Sequence, residues 1–160
     1  MATIGKSSMG WFFGFKLHLV INDQGEIIAF TITNASTDDR KALPAVAKNL
    51  IGKLFGDKRY ISSKLTQDLL NQGLQLFTTV KKNMKNKAME MRDKLLLRKR
   101  SIIETVNDQL KNLAHIEHTR HSSQTNFLIN LVAGIAVYSF QQNKPKISDP
   151  TVSTTPICLP

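Results

Sequence analysis

A chain of 160 residues with 41% hydrophobic residues is one domain in size and long enough to bury a core. Its formal net charge of +10 directs it toward phosphates or an anionic surface and says nothing about fold. The single cysteine, Cys158, excludes an internal disulfide framework and a cysteine metal site, in keeping with a reducing cytoplasm.

In chain order, the first apolar stretch, "WFFGFKLHLVI", contains Lys16 and His18 and has no small-residue cleavage site, which argues against a signal peptide. From Phe13 it alternates, with Phe13, Phe15, Leu17 and Leu19 on one face and Gly14, Lys16, His18 and Val20 on the other, the period of a half-buried strand. "NDQG" marks a turn that takes Asp23, and "EIIAFTIT" supplies the partner strand of a hairpin. Ser36 to Asp39 offer caps for a helix that tolerates Pro44 only near its start. Leu54 to Gly56 read as a short strand, Ser63 to Asn71 as a helix closed by Gly73, and residues 74–80 as another strand. A helix around Ser101 to Leu113 and an apolar helix from about Gln124 to Gln142 complete a mixed α/β domain over residues 1–142. Residues 143–160, rich in Pro, Ser and Thr without periodicity, are expected to form a disordered tail. The run "FLINLVAGIAVYSF" is too short for the roughly 20 apolar residues of a membrane span, so no membrane partner is expected.

Charge is concentrated between Thr79 and Ser101, where nine basic residues, among them Lys81, Lys82, Lys85 and Lys87, face only Glu90 and Asp93. Isolated lysines suit a solvated helix face, but clustering on this scale suits a polyanion whose counterions are displaced on binding. In "RKRSIIETVNDQLKNL", at about 100° per residue, Ile102, Val106, Leu110 and Leu113 fall on one side of a helix. Arg100, Glu104, Asp108 and Lys111 fall on the other. That stripe is read either as a surface ion-pair ladder or as a functional face. Asp57, in "KLFGDKRYI", has two readings as well: a turn or cap residue, or a ligand at the carboxyl end of a strand, where open α/β sheets keep their sites. The histidines of "AHIEHTRH" have no cysteine partners and are expected at basic or turn positions rather than on a metal.

Four segments, "GWFFGFKLHLVINDQGEIIAFTITNASTDDRKALP", "KLFGDKRYIS", "LLRKRSIIETVNDQLKN" and "IEHTRHSSQTNFLINLVAGIAVYSFQQNKP", together resemble the second half of a bacterial insertion-sequence transposase of the DDE type. They do so in order and spacing over roughly residues 4–147. The resemblance implies a ribonuclease H-like mixed sheet flanked by helices, in which two Asp and one Glu hold two Mg²⁺ or Mn²⁺ ions that cleave and rejoin DNA. It maps the second Asp onto Asp57 and the Glu onto Glu104. It also places Arg100 and Lys111 on DNA phosphates, while the charge cluster, not the resemblance, offers Lys81, Lys82, Lys85 and Lys87 as further DNA contacts. The pattern Tyr-x2-Arg-x3-Glu-x6-Lys is met except that Leu97 takes the Tyr position, and Arg59 stands where the family usually has Gly.

The implied first Asp belongs on a strand ahead of the hairpin, and no acidic residue precedes Asp23. The chain is therefore expected to lack the first, central strand, to expose unpaired strand edges, and to be a truncated transposase inactive alone. Two other functions stay open: a non-catalytic DNA-binding remnant that modulates a full-length transposase, and a nuclease completed by a separately encoded N-terminal fragment. Bacterial cytoplasm, in association with the nucleoid, is the expected location.

Overall fold

The computed structural model describes residues 2–7, 10–79, 89–116, 123–147 and 157–158. Strand β1 (Thr3–Ser7) pairs antiparallel with the first part of β2 (Gly10–Ile21), and β3 (Ile27–Asn34) pairs antiparallel with the second part, giving the order β1-β2-β3. The β2–β3 hairpin is as expected, but β2 begins before Phe13, and β1 was not foreseen in so short and polar a segment.

Helix α1 (Asp39–Val46) follows, and Asp38 caps it by accepting a bond from the Arg40 N–H. Strand β4 (Gly52–Gly56) lies parallel to β5 (Leu74–Thr78), with helix α2 (Ser63–Asn71) as the crossover between them. The Ser62 hydroxyl caps α2 at the Leu65 N–H. Then come α3 (Met91–Lys99), α4 (Ile102–Asn112), α5 (Gln124–Phe140) and a two-residue strand β6 (Ile157–Cys158) beside Lys53 and Leu54 of β4.

The strands separate two apolar layers, because alternate residues of a strand face opposite sides. Val20 and Leu54 pack with α1 and α2 through Leu43, Val46, Leu65 and Leu69. Leu19, Ile21 and Phe55 pack with α3, α4 and α5 through Leu96, Val106, Leu110 and Leu131. Both faces of the end of β2 are thus buried, so the alternation read from Phe13 onward separates two cores there rather than core from solvent.

The architecture is mixed α/β with sheets flanked by helices, compatible with a ribonuclease H-like fold. Among the described residues the two sheets are not joined by strand pairing, and the strand expected between hairpin and β4 has no counterpart beyond the short β6.

Three local features fit the β2–β3 turn against α5 and the segment that follows it. Gly25 takes φ +71° in the turn, and a Cβ there would lie 2.1 Å from the Pro145 carbonyl oxygen, so both conformation and space require glycine. The buried Tyr138 hydroxyl donates to the Gly25 carbonyl at 2.6 Å, and the Ile147 N–H donates to the Asp23 carbonyl at 2.8 Å. Asp23 is a turn residue, as expected, and it is buried.

Candidate active site at the carboxyl end of β4

Strand β4 ends where Gly56 gives way to Asp57, and the chain turns at once into a single 3₁₀ turn, Lys58–Tyr60. Asp57 caps that turn: one carboxylate oxygen, Oδ1, accepts the Lys58 N–H at 2.6 Å. The turn reading of this residue is therefore correct, and it leaves the second oxygen available. Asp57 Oδ2 has Arg59 Nε at 3.9 Å, beyond hydrogen-bond reach, and the side chain is 32% exposed.

Arg100 approaches from the other side. It lies in the turn between α3 and α4, and its guanidinium is 3.7 Å from Asp57 Oδ1. This ion pair brings the start of α4 to the end of β4, and Glu104 stands one helical turn beyond Arg100. Glu104, Asp108 and Lys111 are exposed, while Ile103, Val106 and Leu110 are buried, so the charged stripe does face outward. The apolar side is centred one residue away from the expected one, since Ile102 is only half-buried and Leu113 is exposed. Lys81, Lys82, Lys85 and Lys87 lie outside the described residues, as do His118 and His121.

Arg59 extends the charge network. Besides facing Asp57 it lies 3.8 Å from Asp39 of α1, and Asp39 in turn accepts a 3.1 Å bond from Lys16 of β2. Sequence reasoning gave Asp39 only a capping role and missed its link to Lys16. The available signal was Lys16 itself, a cation on the partly buried face of a strand. Tyr60, buried beside this network, has its pKa raised, first by burial and then by the Asp39 charge.

A second missed pair supports the site from behind. Lys53 of β4 donates to both oxygens of the buried Asp93 of α3 at 2.9 Å each. It fixes α3, and with it the turn carrying Arg100, to the strand that ends at Asp57. On β2, in the other sheet, His18 is buried against Thr33, its Nε2 2.8 Å from the hydroxyl. Burial is the main cause that lowers its pKa; Asp39 opposes the shift and Lys16 adds to it.

The family described as the transposase DDE domain has a model that matches residues 1–124, more than three quarters of the chain. The chain belongs to that family. No curated protein and no solved structure matched it. Membership makes DNA the partner of this domain, and divalent ions are the general requirement of its chemistry.

The donor chemistry can be tested against such an ion. Hard divalent cations prefer carboxylate oxygens and retain waters, and Asp57, solvent-facing with one oxygen outside any hydrogen bond, suits them. Among the described residues, no three His, Cys, Asp or Glu side chains form a group that holds a metal. None of the described helices is long and apolar enough to cross a membrane.

Proposed function

We propose that this domain serves DNA transposition by metal-dependent strand cleavage and transfer, with Asp57 and Glu104 as two of its metal-holding carboxylates. The Arg100–Asp57 ion pair carries the reading: it joins the turn one helical turn ahead of Glu104 to the strand end that bears Asp57. When bound, a pair of Mg²⁺ or Mn²⁺ ions about 3.5 to 4 Å apart supplies activation of the attacking oxygen and charge stabilisation for the leaving one.

The chain's own side chains do the rest. Arg100 and Lys111 hold the DNA phosphates, the Arg through its bidentate fork, and Lys81, Lys82, Lys85 and Lys87 extend the basic track along the backbone. Phosphate contacts of this kind position DNA without reading its sequence. The third carboxylate comes from another segment, so the chain alone is inactive and works with a fragment or a full-length transposase that provides it. The bacterial cytoplasm and nucleoid are the setting for that activity. A purely regulatory role, occupying DNA without cutting it, is the second reading, and the lack, among the described residues, of any group of three His, Cys, Asp or Glu side chains able to hold a metal favours it for the lone chain.

The test is nicking of supercoiled plasmid in Mg²⁺, with the chain alone and with an added N-terminal fragment of a family member that carries the first Asp. The expected outcome is no nicking alone and nicking after complementation, abolished by Asp57→Ala or Glu104→Ala and preserved by Asp108→Ala. Cleavage by the lone chain overturns the requirement for a third carboxylate. Loss with Asp108→Ala but not with Glu104→Ala moves the helical carboxylate one turn along α4.

A further inference from the structure

The β1–β2 hairpin carries an exposed aromatic pair that the metal site does not use. Trp11 and Phe13 occupy alternate positions of β2, hence one face, and are 73% and 72% exposed. Their cross-strand partners are Lys6 and Ile4, so one side of the hairpin presents two aromatic rings, an aliphatic chain and a cation. The Lys6 ammonium lies over the Trp11 ring, 5.5 Å from its centroid, which holds the indole while leaving most of it in solvent.

A burial role does not account for Trp11, since the largest aromatic side chains are worth most when removed from water. The ring instead borders a cleft of about 740 Å³ that runs from the hairpin to the 3₁₀ turn after Asp57. Five basic residues line that cleft, Lys6, Lys16, Arg40, Lys58 and Arg59, against two acids, Asp38 and Asp39. The acids are spent on structure: Asp38 holds Arg40 through its carboxylate, and Asp39 holds Lys16. The cleft thus combines a ring available for stacking with an excess of positive charge, and at its far end Arg59 faces Asp57 at 3.9 Å.

We propose that this cleft binds an unpaired stretch of DNA, with a base stacked on Trp11 and the backbone phosphates led along Lys6, Lys58 and Arg59 toward Asp57. Stacking platforms joined to a basic groove are how proteins hold single strands without reading sequence, because every base has a π-face. The assignment rests on the DNA-cleaving function proposed above and adds to it a separate site for the unpaired strand. Charge complementarity selects a polyanion over an apolar partner, since an apolar occupant would bury the Lys6 and Lys58 ammonium groups without a counterion.

Trp11 is the only tryptophan in the chain, so its fluorescence reports on the site directly. The 160-residue chain is titrated with an oligothymidylate about ten nucleotides long that carries a terminal dye, reading anisotropy for binding and tryptophan emission for stacking. Quenching should track the anisotropy. Trp11→Ala should weaken binding about tenfold, whereas Trp11→Phe, which keeps a ring, should stay within about threefold. An abasic strand of the same length should bind wild type as weakly as the thymidylate binds Trp11→Ala, with no further loss in that variant. Unchanged circular dichroism confirms that the exposed substitutions leave the fold intact. Binding without quenching, or full affinity in Trp11→Ala, overturns the site. So does a change in Trp11 emission with protein concentration alone, which would place a second copy of the chain on the ring. A control duplex separates the two levels: duplex binding without oligothymidylate binding sinks this cleft and spares the DNA reading, and failure of both sinks the DNA reading itself.

Discussion

Breaking the Lys53–Asp93 pair should loosen the strand–helix joint on which the Arg100–Asp57 approach depends. Two charge-assisted bonds of 2.9 Å connect a carboxylate that is 5% exposed to an ammonium whose side chain is 37% exposed. Lys53→Met removes the ammonium that lies over the Phe77 ring and leaves the buried Asp93 carboxylate without its partner, at a cost of about 3 kcal/mol. Asp93→Leu is milder, about 1 kcal/mol, because Lys53 retains water and has Glu90 at 3.9 Å. The double substitution should cost about 2 kcal/mol, less than the sum of the single ones, giving a coupling of about 2 kcal/mol. Partial exposure of the lysine sets this well below the worth of a fully buried pair. Urea unfolding of the four proteins measures the cycle. A coupling below about 0.5 kcal/mol would show that the two side chains act independently and that this pair does not hold α3 to β4.

Tyr138→Phe leaves the Gly25 carbonyl without its donor and should cost about 1 kcal/mol by urea unfolding. Burial pushes the Tyr138 phenol up to about 12, so its contribution is full below pH 10 and is lost as pH rises from 10 through 12; Tyr138→Phe should flatten that alkaline limb. His18 behaves in the opposite sense. Its pKa is lowered on folding, so stability is full above about pH 6.5 and falls as pH drops below that value toward the folded pKa, a slope that His18→Asn should remove in thermal melts from pH 7.5 to 5. Neutralising Lys81, Lys82, Lys85 and Lys87 together should flatten the slope of log affinity against log salt for duplex DNA by up to about 3.5, and an unchanged slope would remove the basic stretch from the interface.

Much of the fold was legible because its signals are local. The β2–β3 hairpin follows from a turn between alternating runs, α2 from a helical run closed by Gly73, and α5 from an apolar run too short for a bilayer. Strand β1 was not legible, since Thr3–Ser7 has no alternation of its own and forms through register with Gly10–Gly14. The apolar face of α4 was displaced by one residue because periodicity alone does not say which of Ile102 and Ile103 meets α5 and which meets the rim.

At the site, the position of Asp57 at a strand end was readable from the apolar run before it. Its approach by Arg100, 43 positions later in sequence, was not read there, since the family resemblance placed Arg100 on DNA phosphates and Asp57 on a metal. The Lys16–Asp39–Arg59 links and the Lys53–Asp93 pair escaped altogether, because ion pairs between distant elements leave no periodic trace in sequence.

The shared metal site of Asp57 and Glu104 is the central claim, and Mn²⁺ line broadening in amide spectra of the chain tests it most directly. Substoichiometric Mn²⁺ should broaden the amides of Gly56 to Lys58 and those around Glu104 in the same titration. Asp57→Asn should abolish both effects together, and Asp108→Asn should change neither. Broadening at only one of the two places, or at Asp38 and Asp39 in their stead, would contradict a metal site built from the end of β4 and the first turn of α4.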